Sequence, residues 1–212
     1  MSALHPGTAA VCDTDKSLRV MAPAIAHRSS VAAMRGTAFT VRCDGDFFGA
    51  LHALESAAPG DVLVVDGGGR EVAYAGELFA RAALARGLAG IVVDGGYRDI
   101  AYVRGSELPV FSRWVTPMAG TTGKAGHLGV PVVCGGVVVS PGDVVIADED
   151  GLVVLEPSTV EEVFARAAEV VAREERVLAA MAAGKGIGEC LNVAEHAARL
   201  GAGEASVLRF VV

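Results

Sequence analysis

Short apolar runs bounded by turn residues recur along the first two thirds of the chain. Residues 61–66 (DVLVVD) follow a Pro-Gly turn, and residues 90–94 (GIVVD) precede two further glycines. Between them, residues 76–86 have the apolar spacing of a helix, and Gly87 is placed to end it. Strands that are apolar at nearly every position are typical of a sheet covered on both faces. The order strand, helix, strand therefore predicts a parallel pair of strands joined by a right-handed crossover.

The same pattern predicts further strands and a long helix towards the end of the chain. The further elements are a short helix over residues 49–58 and strands over residues 37–43, 130–139, 141–148 and 151–155. Gly135 and Gly136 predict a kink or a hairpin in the middle of their run. Ser158 and Glu161 have the spacing of a capping box, which predicts a long helix from Ser158 to Gly184.

The composition narrows the class of protein. The chain has 212 residues, of which 52% are hydrophobic, and its formal net charge is −7. Such a chain can fill a hydrophobic core, and an acidic chain without a long basic run is a poor candidate for binding nucleic acid. The four cysteines are scattered, which indicates free thiols rather than a disulfide framework or a zinc site. The sequence shows neither a secretory leader nor an unbroken apolar membrane span, so we expect a soluble, cytoplasmic protein.

Polar side chains are expected to meet where the first predicted helix begins and the second strand ends. About eleven helical residues at ~1.5 Å cover the same length as about five strand residues at ~3.3 Å, which places Glu77 beside Arg98 and Asp99. The first-turn amides of Leu78 and Phe79 could hold a carboxylate. Arg98 offers a planar guanidinium, and Asp99 is a hard oxygen ligand of the kind Mg²⁺ prefers. A loop ion pair and a carboxylate that complements the helix dipole would explain the same residues, and spacing alone leaves both alternatives open.

A set of motifs covers this region and extends beyond it. They are residues 59–69 (PGDVLVVDGGG), 76–78 (GEL), 89–99 (AGIVVDGGYRD), 108–111 (LPVF), 130–136 (VPVVCGG) and 141–151 (PGDVVIADEDG). Over about residues 8–157 the chain resembles the RraA-like family, which includes class II 4-hydroxy-4-methyl-2-oxoglutarate/4-carboxy-4-hydroxy-2-oxoadipate aldolases and the regulator of ribonuclease E activity. The resemblance implies a swivelling β/β/α domain of the phosphohistidine-domain-like class over residues 1–157. We expect residues 158–212 to form a long C-terminal helix and a tail that pack on this α/β domain. The resemblance also implies a homotrimer or homohexamer with sites near subunit interfaces.

The resemblance further implies roles for individual residues. Family members with aldolase activity carry an acid, twenty intervening residues and then Arg-Asp, which here are Glu77, Arg98 and Asp99. Asp99 would hold Mg²⁺ or Mn²⁺, and Arg98 and Glu77 would be the catalytic residues. The residues expected to bind the substrate are Gly76, Leu78, Phe79, Tyr97 and Arg98. Two positions depart from the family pattern, because the aldolases usually have Asp at position 77 and because Tyr102 stands where other members have an acid.

The function that follows is a divalent-metal-dependent carbon–carbon lyase acting on a small 2-oxo acid. The metal would polarise the 2-keto oxygen, and Arg98 would hold the carboxylate and the enolate that forms. A water associated with the metal and oriented by Glu77 would move the proton. The reaction would be retro-aldol cleavage to pyruvate, decarboxylation of oxaloacetate, or both. Two alternatives remain open: a non-catalytic regulator that binds another protein, as in the ribonuclease E branch, and a tailoring enzyme that uses the same enolate chemistry on an unusual substrate.

Overall fold

A mixed β-sheet forms the centre of the protein in the computed structural model, which describes residues 4–212. In this part of the chain the strands are β1 (Arg19–Val20), β2 (Ala26–His27), β3 (Met34–Arg42), β4 (Asp61–Asp66), β5 (Ala73–Ala75), β6 (Gly90–Tyr97), β7 (Val110–Val115), β8 (His127–Leu128), β9 (Val132–Cys134), β10 (Val137–Val139), β11 (Val144–Asp148) and β12 (Gly151–Leu155). The helices are α1 (Thr8–Thr14), α2 (Phe48–Ser56), α3 (Glu77–Arg86), α4 (Ile100–Val103), α5 (Val160–Ala182), α6 (Ile187–Cys190) and α7 (Val193–Gly201).

Parallel strands make up the middle of the sheet and antiparallel strands make up its edges. The order is β1-β12-β11-β3-β4-β6-β7-β2, while β5 pairs with β6 and β8 pairs with β3. Strands β3, β4, β6 and β7 run parallel, and Asp66 of β4 lies opposite Asp94 of β6. The predicted parallel pair is therefore confirmed. The β9 and β10 strands form the predicted hairpin around Gly135 and Gly136.

The side chains of β4 alternate between two hydrophobic clusters on opposite faces of the sheet. Leu63 and Val65 pack with residues of α2 and α3. Val62 and Val64 pack on the other face with residues of the β9–β10 hairpin. All four side chains are fully buried, and each contributes about 1.5–3 kcal/mol through removal from water. Helices on one face and a β-hairpin on the other explain why this strand is apolar at every inner position.

A third hydrophobic cluster attaches the long helix α5 to the sheet. Val163 and Ala167 of α5 pack with Val11 of α1 and with residues of β11 and β12. The helix begins at Val160 rather than at the predicted Ser158, and no side chain caps it. A 3-10 turn over residues 157–159 replaces the capping box, because the amide and the hydroxyl of Thr159 both donate to the carbonyl of Glu156. Neither α5 nor any other helix within residues 4–212 is long and apolar enough to cross a membrane.

The end of β6 differs from the sequence prediction. The predicted strand covers the apolar run of residues 90–94, but β6 continues through Gly95 and Gly96 to Tyr97. A Cβ on Gly95 would lie 2.6 Å from the Tyr74 ring, and a Cβ on Gly96 would lie 2.6 Å from the carbonyl oxygen of Val72. These glycines therefore allow the short strand β5 and its neighbouring residues to approach β6 closely. The pattern of apolar residues carries no signal for a three-residue strand of this kind.

Candidate active site

The start of α3 and the end of β6 meet at one edge of the sheet. The backbone amide of Glu77 donates a hydrogen bond to Oδ2 of Asp99 at 3.0 Å. The backbone amide of Arg98 donates to the carbonyl of Ala75, also at 3.0 Å. These two bonds connect the β5–α3 segment to the residues that follow β6. The structure thus brings Glu77, Arg98 and Asp99 together, but β6 is eight residues long rather than the expected five, and the pairing of β5 with the end of β6 is what places the start of α3 beside Arg98.

Asp99 has an unusual backbone conformation. Its φ of 57° and ψ of 38° are left-handed, and within residues 4–212 it is the only residue other than glycine with a positive φ. Asp tolerates this region better than most residues, and such outliers are concentrated at functional sites. Its side chain is 43% exposed. The residue therefore presents a carboxylate that is oriented by the chain and still reachable from solvent.

Gly76 is required by the close approach of this carboxylate. A Cβ at position 76 would collide with Oδ2 of Asp99 and would lie 2.9 Å from Cγ of Arg98. The φ of Gly76 is −164°, which any residue can adopt, so contact rather than backbone conformation excludes a side chain here. The Gly76 carbonyl accepts hydrogen bonds from the Tyr97 hydroxyl at 3.2 Å and from the Ala80 amide at 3.1 Å.

Tyr97 supports the backbone at the start of α3. The resemblance implies that it binds the substrate, but its side chain is fully buried and its hydroxyl donates a hydrogen bond to the carbonyl of Gly76. Burial raises the pKa of the Tyr97 phenol, and the negative charge of Asp99 raises it further. The phenol therefore stays protonated at neutral pH and acts as a hydrogen-bond donor to the backbone at the start of α3.

A cavity of about 390 Å³ opens beside these residues. Arg98 and Asp99 contribute its charged side chains, and Gly76 and the first turn of α3 form one wall. Its remaining lining is mainly apolar and comes from Phe47, Leu51, Leu54, Ala73, Tyr74, Ala75, Leu78, Phe79, Ala82 and Ala119. Sequence reasoning missed the contributions from α2, β5 and Ala119. No local signal could have placed them here, because each reaches the cavity through the tertiary arrangement of the chain.

The first turn of α3 offers unsatisfied backbone donors to this cavity. The amides of Leu78 and Phe79 precede the first residue that can bond within the helix, and no side chain caps them. Both residues line the cavity. Because the positive end of the helix dipole also lies here, the first turn favours a bound carboxylate.

The backbone amide and the side-chain carboxylate of Glu77 have different partners. Its amide contacts Asp99, whereas its carboxylate Oε1 accepts a hydrogen bond from Nε of Arg81 at 2.8 Å. The guanidinium of Arg81 lies over the ring of Tyr102, 4.2 Å from its centroid. The bond to Glu77 raises the pKa of Arg81. The Glu77 side chain is 38% exposed and is not among the residues that line the cavity.

The donor set fits only certain metal ions. Within residues 4–212 no three or more His, Cys, Asp or Glu residues form a group that could hold a metal. Asp99 instead offers a single exposed carboxylate. Mg²⁺ commonly binds through one or two carboxylates and completes its coordination with water and substrate oxygens. The residues present therefore fit Mg²⁺ or Mn²⁺ held jointly with a substrate, and they do not fit a closed structural zinc site.

Comparison with known proteins shows two kinds of relative. A protein from Halalkalibacterium halodurans named "Putative 4-hydroxy-4-methyl-2-oxoglutarate aldolase" is 34% identical over 142 residues, which are 66% of this chain and 68% of that one. A protein of the same name from Aromatoleum aromaticum is 35% identical over 153 residues, which are 71% of this chain and 96% of that one. The solved structure of the RNA-processing inhibitor RraA from Thermus thermophilis has a TM-score of 0.67 and 32% identity, and the match covers 74% of this chain and 94% of that one.

The match to a family is more extensive than any single motif. The RraA-like family (Aldolase/RraA) matches residues 8–154, which run from α1 into β12. The fold shared with the RraA inhibitor confirms the α/β class inferred from the motifs. The names of the relatives include aldolases, which support a lyase, and an inhibitor of RNA processing. This chain belongs to the RraA-like family.

Proposed function

We propose that the protein is a divalent-metal-dependent carbon–carbon lyase that acts on a small 2-oxo acid. The observation that carries this proposal is the joint placement of Arg98, Asp99 and the uncapped first turn of α3 around one cavity. The aldolase names of relatives at 34% and 35% identity agree with it. A surface ion pair would not require a glycine at position 76 or a left-handed aspartate at its centre.

Each charged group has a distinct place in the proposed site. Asp99 would hold Mg²⁺ or Mn²⁺, which when bound supplies Lewis-acid polarisation of the 2-keto group. The amides of Leu78 and Phe79 would bind the substrate carboxylate. The Arg98 Nε lies 3.8 Å from Oδ2 of Asp99, which is too long for a hydrogen bond. The guanidinium of Arg98 therefore pairs with Asp99 by charge alone, and its N–H groups would remain available to the substrate.

The proposed reaction consists of two proton transfers and the cleavage of one carbon–carbon bond. In the retro-aldol direction, the water that Glu77 orients would accept the proton of the 4-hydroxyl, the C4 oxygen would become a carbonyl oxygen, and the bond between C3 and C4 would break. The electron pair of that bond passes into the enolate of pyruvate, whose negative charge Arg98 stabilises. A proton then returns to C3, and Glu77 would orient the water that carries it. With oxaloacetate the same enolate forms as carbon dioxide leaves.

The apolar part of the cavity limits where the substrate's charged groups can lie. Beyond Arg98 and Asp99, the walls are formed mainly by aliphatic and aromatic side chains. They would accept a small substituent such as a methyl group, and the second carboxylate of a dicarboxylate substrate would have to lie near Arg98. A homotrimer or homohexamer is also part of the proposal, and light scattering of the purified protein would test it.

The central experiment follows pyruvate release. The protein is incubated with 4-hydroxy-4-methyl-2-oxoglutarate or oxaloacetate and with Mg²⁺ or Mn²⁺, and pyruvate is measured through a coupled dehydrogenase. We expect turnover that a chelator removes and that restored metal recovers. Oxaloacetate loses carbon dioxide slowly with metal alone, so the rate must exceed that of the Asp99→Asn variant. Equal rates for the two proteins with both substrates would refute the proposal and favour the regulator alternative.

A further inference from the structure

Three side chains form a continuous contact along the outer edge of the candidate site. Glu77 Oε1 accepts a 2.8 Å hydrogen bond from Arg81, which lies one turn later in α3. The same guanidinium lies 4.2 Å from the centroid of the Tyr102 ring. Tyr102 belongs to α4, the helix that directly follows Asp99. The contact therefore joins the helix that begins with Glu77 to the helix that begins after the proposed metal ligand.

We propose that Arg81 is a positioning residue for the Glu77 carboxylate and that the ring of Tyr102 holds Arg81 in place. This inference rests on the proposed lyase function, because it assigns Arg81 a role in placing the group that orients the proton-carrying water. Neither Arg81 nor Glu77 lines the cavity, and Glu77 adjoins it through the hydrogen bond of its amide to Asp99. Arg81 acts on the reaction through Glu77 and does not touch the substrate.

The length of Glu77 explains why such a residue is needed. A Glu side chain has one more rotatable bond than Asp, and here it is 38% exposed, so without a partner its carboxylate would occupy several rotamers. A hydrogen-bonded ion pair one turn apart on an exposed helix surface is weak by itself. Stacking on Tyr102 restricts the guanidinium before it meets the carboxylate, so less freedom is lost when the hydrogen bond forms.

The arrangement depends on the shape of arginine as well as on its charge. A planar guanidinium can place its face on an aromatic ring while its Nε–H points along the edge towards a carboxylate. A lysine ammonium is a compact point charge and cannot make both contacts in this geometry. The face of the ring is the required part of Tyr102, since the structure gives its hydroxyl no hydrogen bond with Arg81. The Tyr102→Phe variant should therefore keep the position of Arg81, whereas the Tyr102→Leu variant should lose it.

The first test uses steady-state kinetics of the full chain with Mg²⁺. We expect Arg81→Met to lower kcat about tenfold and to leave KM within about twofold, since the substrate-binding groups are unchanged. Arg81→Lys should recover little of the loss. Tyr102→Phe should match the parent protein, and Tyr102→Leu should lower kcat in the same direction as Arg81→Met. In a Glu77→Gln background, Arg81→Met should have no further effect, because the group that it positions is gone.

Two further measurements separate positioning from a general structural effect. The dissociation constant for Mn²⁺ without substrate should be the same in Arg81→Met and the parent. The Nε–H of Arg81 should be more rigid in nuclear magnetic resonance relaxation than that of Arg173, and Tyr102→Leu should remove the difference. Arg173 is the matched control because it forms a similar exposed pair with Glu169 on α5 at 3.1 Å. Arg173→Met should leave kcat unchanged.

The inference and the proposed function fail in different ways. A parent protein without metal-dependent lyase activity refutes the proposed function and the positioning role with it. An active parent refutes the positioning role alone if Arg81→Met keeps kcat within twofold. The same conclusion follows if Arg81→Met is equally harmful in the Glu77→Gln background, or if the Arg81 Nε–H is as mobile as that of Arg173.

Discussion

The Oδ2 atom of Asp99 accepts a hydrogen bond from the amide of Glu77, although the two residues lie 22 positions apart in the chain. Helix α3 and strand β6 fill this interval and return the chain to its starting edge. The helix therefore uses its first amide to orient a carboxylate, and the next two residues, whose amides have no partner within the helix, line the cavity. The contact between Glu77 and Asp99 is built within the β5–α3–β6 segment, whereas α2 and Ala119 complete the cavity.

Gly76→Ala should disrupt the site while leaving most of the fold intact. The new methyl group would collide with Oδ2 of Asp99, so the carboxylate must move. We expect kcat/KM of the proposed reaction to fall at least tenfold, with a stability loss of about 1–3 kcal/mol from overpacking. Gly188→Ala is the control, because a Cβ at Gly188 has no neighbour within 4 Å. Equal activity in the two variants would show that the position of Asp99 is unimportant.

Asp99→Asn isolates the charge of Asp99 from its structural role. Asn tolerates the left-handed conformation and keeps an oxygen that can accept from the Glu77 amide. We therefore expect the melting temperature to stay within a few degrees, while metal-dependent turnover falls about 100-fold or more. Titration of Mn²⁺ by calorimetry should show weaker binding. Retention of both turnover and Mn²⁺ affinity would exclude Asp99 as the ligand.

Asp99→Ala is a less specific change. It removes the charge and the hydrogen bond together, and it places a residue that disfavours positive φ at 57°. That conformation costs about 1–2 kcal/mol for most residues. A loss of activity in this variant could therefore come from displacement of α4 as well as from loss of a ligand. A larger drop in melting temperature for Asp99→Ala than for Asp99→Asn would confirm the structural part of its role.

The elements predicted correctly from the sequence are those fixed by local patterns. Strand β4 lies at the predicted residues 61–66, and α3 ends at Arg86 with Gly87 left-handed at φ 73°. Both follow from apolar spacing and from a glycine that ends the helix without strain. The meeting of Glu77 with Arg98 and Asp99 is also expected from the lengths of one helix and one strand, but in the structure β6 is longer than expected and the unpredicted strand β5 brings the start of α3 to the end of β6.

The features that were not predicted depend on contacts between distant parts of the chain. The continuation of β6 through Gly95 and Gly96 is possible because Tyr74 and Val72 pack against backbone without side chains. Phe47 lines the cavity because α2 packs on the same face of the sheet as α3. The pairing of Glu77 with Arg81 has the ordinary spacing of one helical turn, but its link to Tyr102 required the position of α4.

Arg98→Lys should be far more harmful than a conservative exchange on the surface. The Arg98 side chain is 44% exposed and lies beyond hydrogen-bond distance of Asp99, so the N–H groups of its guanidinium are available to a substrate. Lysine supplies a charge without bidentate geometry. We expect kcat/KM to fall at least tenfold, whereas Arg104→Lys at the exposed end of α4 should have no effect. A loss below about threefold, equivalent to about 0.65 kcal/mol, would remove Arg98 from the mechanism.

Asp46 should make the stability of the cavity wall dependent on pH. It precedes α2, and its side chain accepts hydrogen bonds from the hydroxyl of Thr121 and from the amides of Phe48, Gly123 and Lys124. Burial alone would raise the pKa of Asp46, but these hydrogen bonds outweigh it and hold the pKa below its ordinary value. The ionised carboxylate of Asp46 therefore holds the loop that contains Ala119 and residues 121–124 against the start of α2 through these hydrogen bonds.

Asp46→Asn should lower stability at neutral pH, because an amide cannot accept as many hydrogen bonds as a carboxylate. A carboxyl group with a lowered folded-state pKa contributes its full stabilisation above the unfolded-state pKa of about 3.9 and loses it as the pH falls through the folded-state value. The difference in urea midpoint between parent and variant should thus be constant from pH 7 to pH 5 and shrink below about pH 4. Asp150→Asn changes an exposed carboxylate and is the control. A difference that stays constant down to pH 2 would show that the ionisation of Asp46 does not stabilise this wall of the cavity.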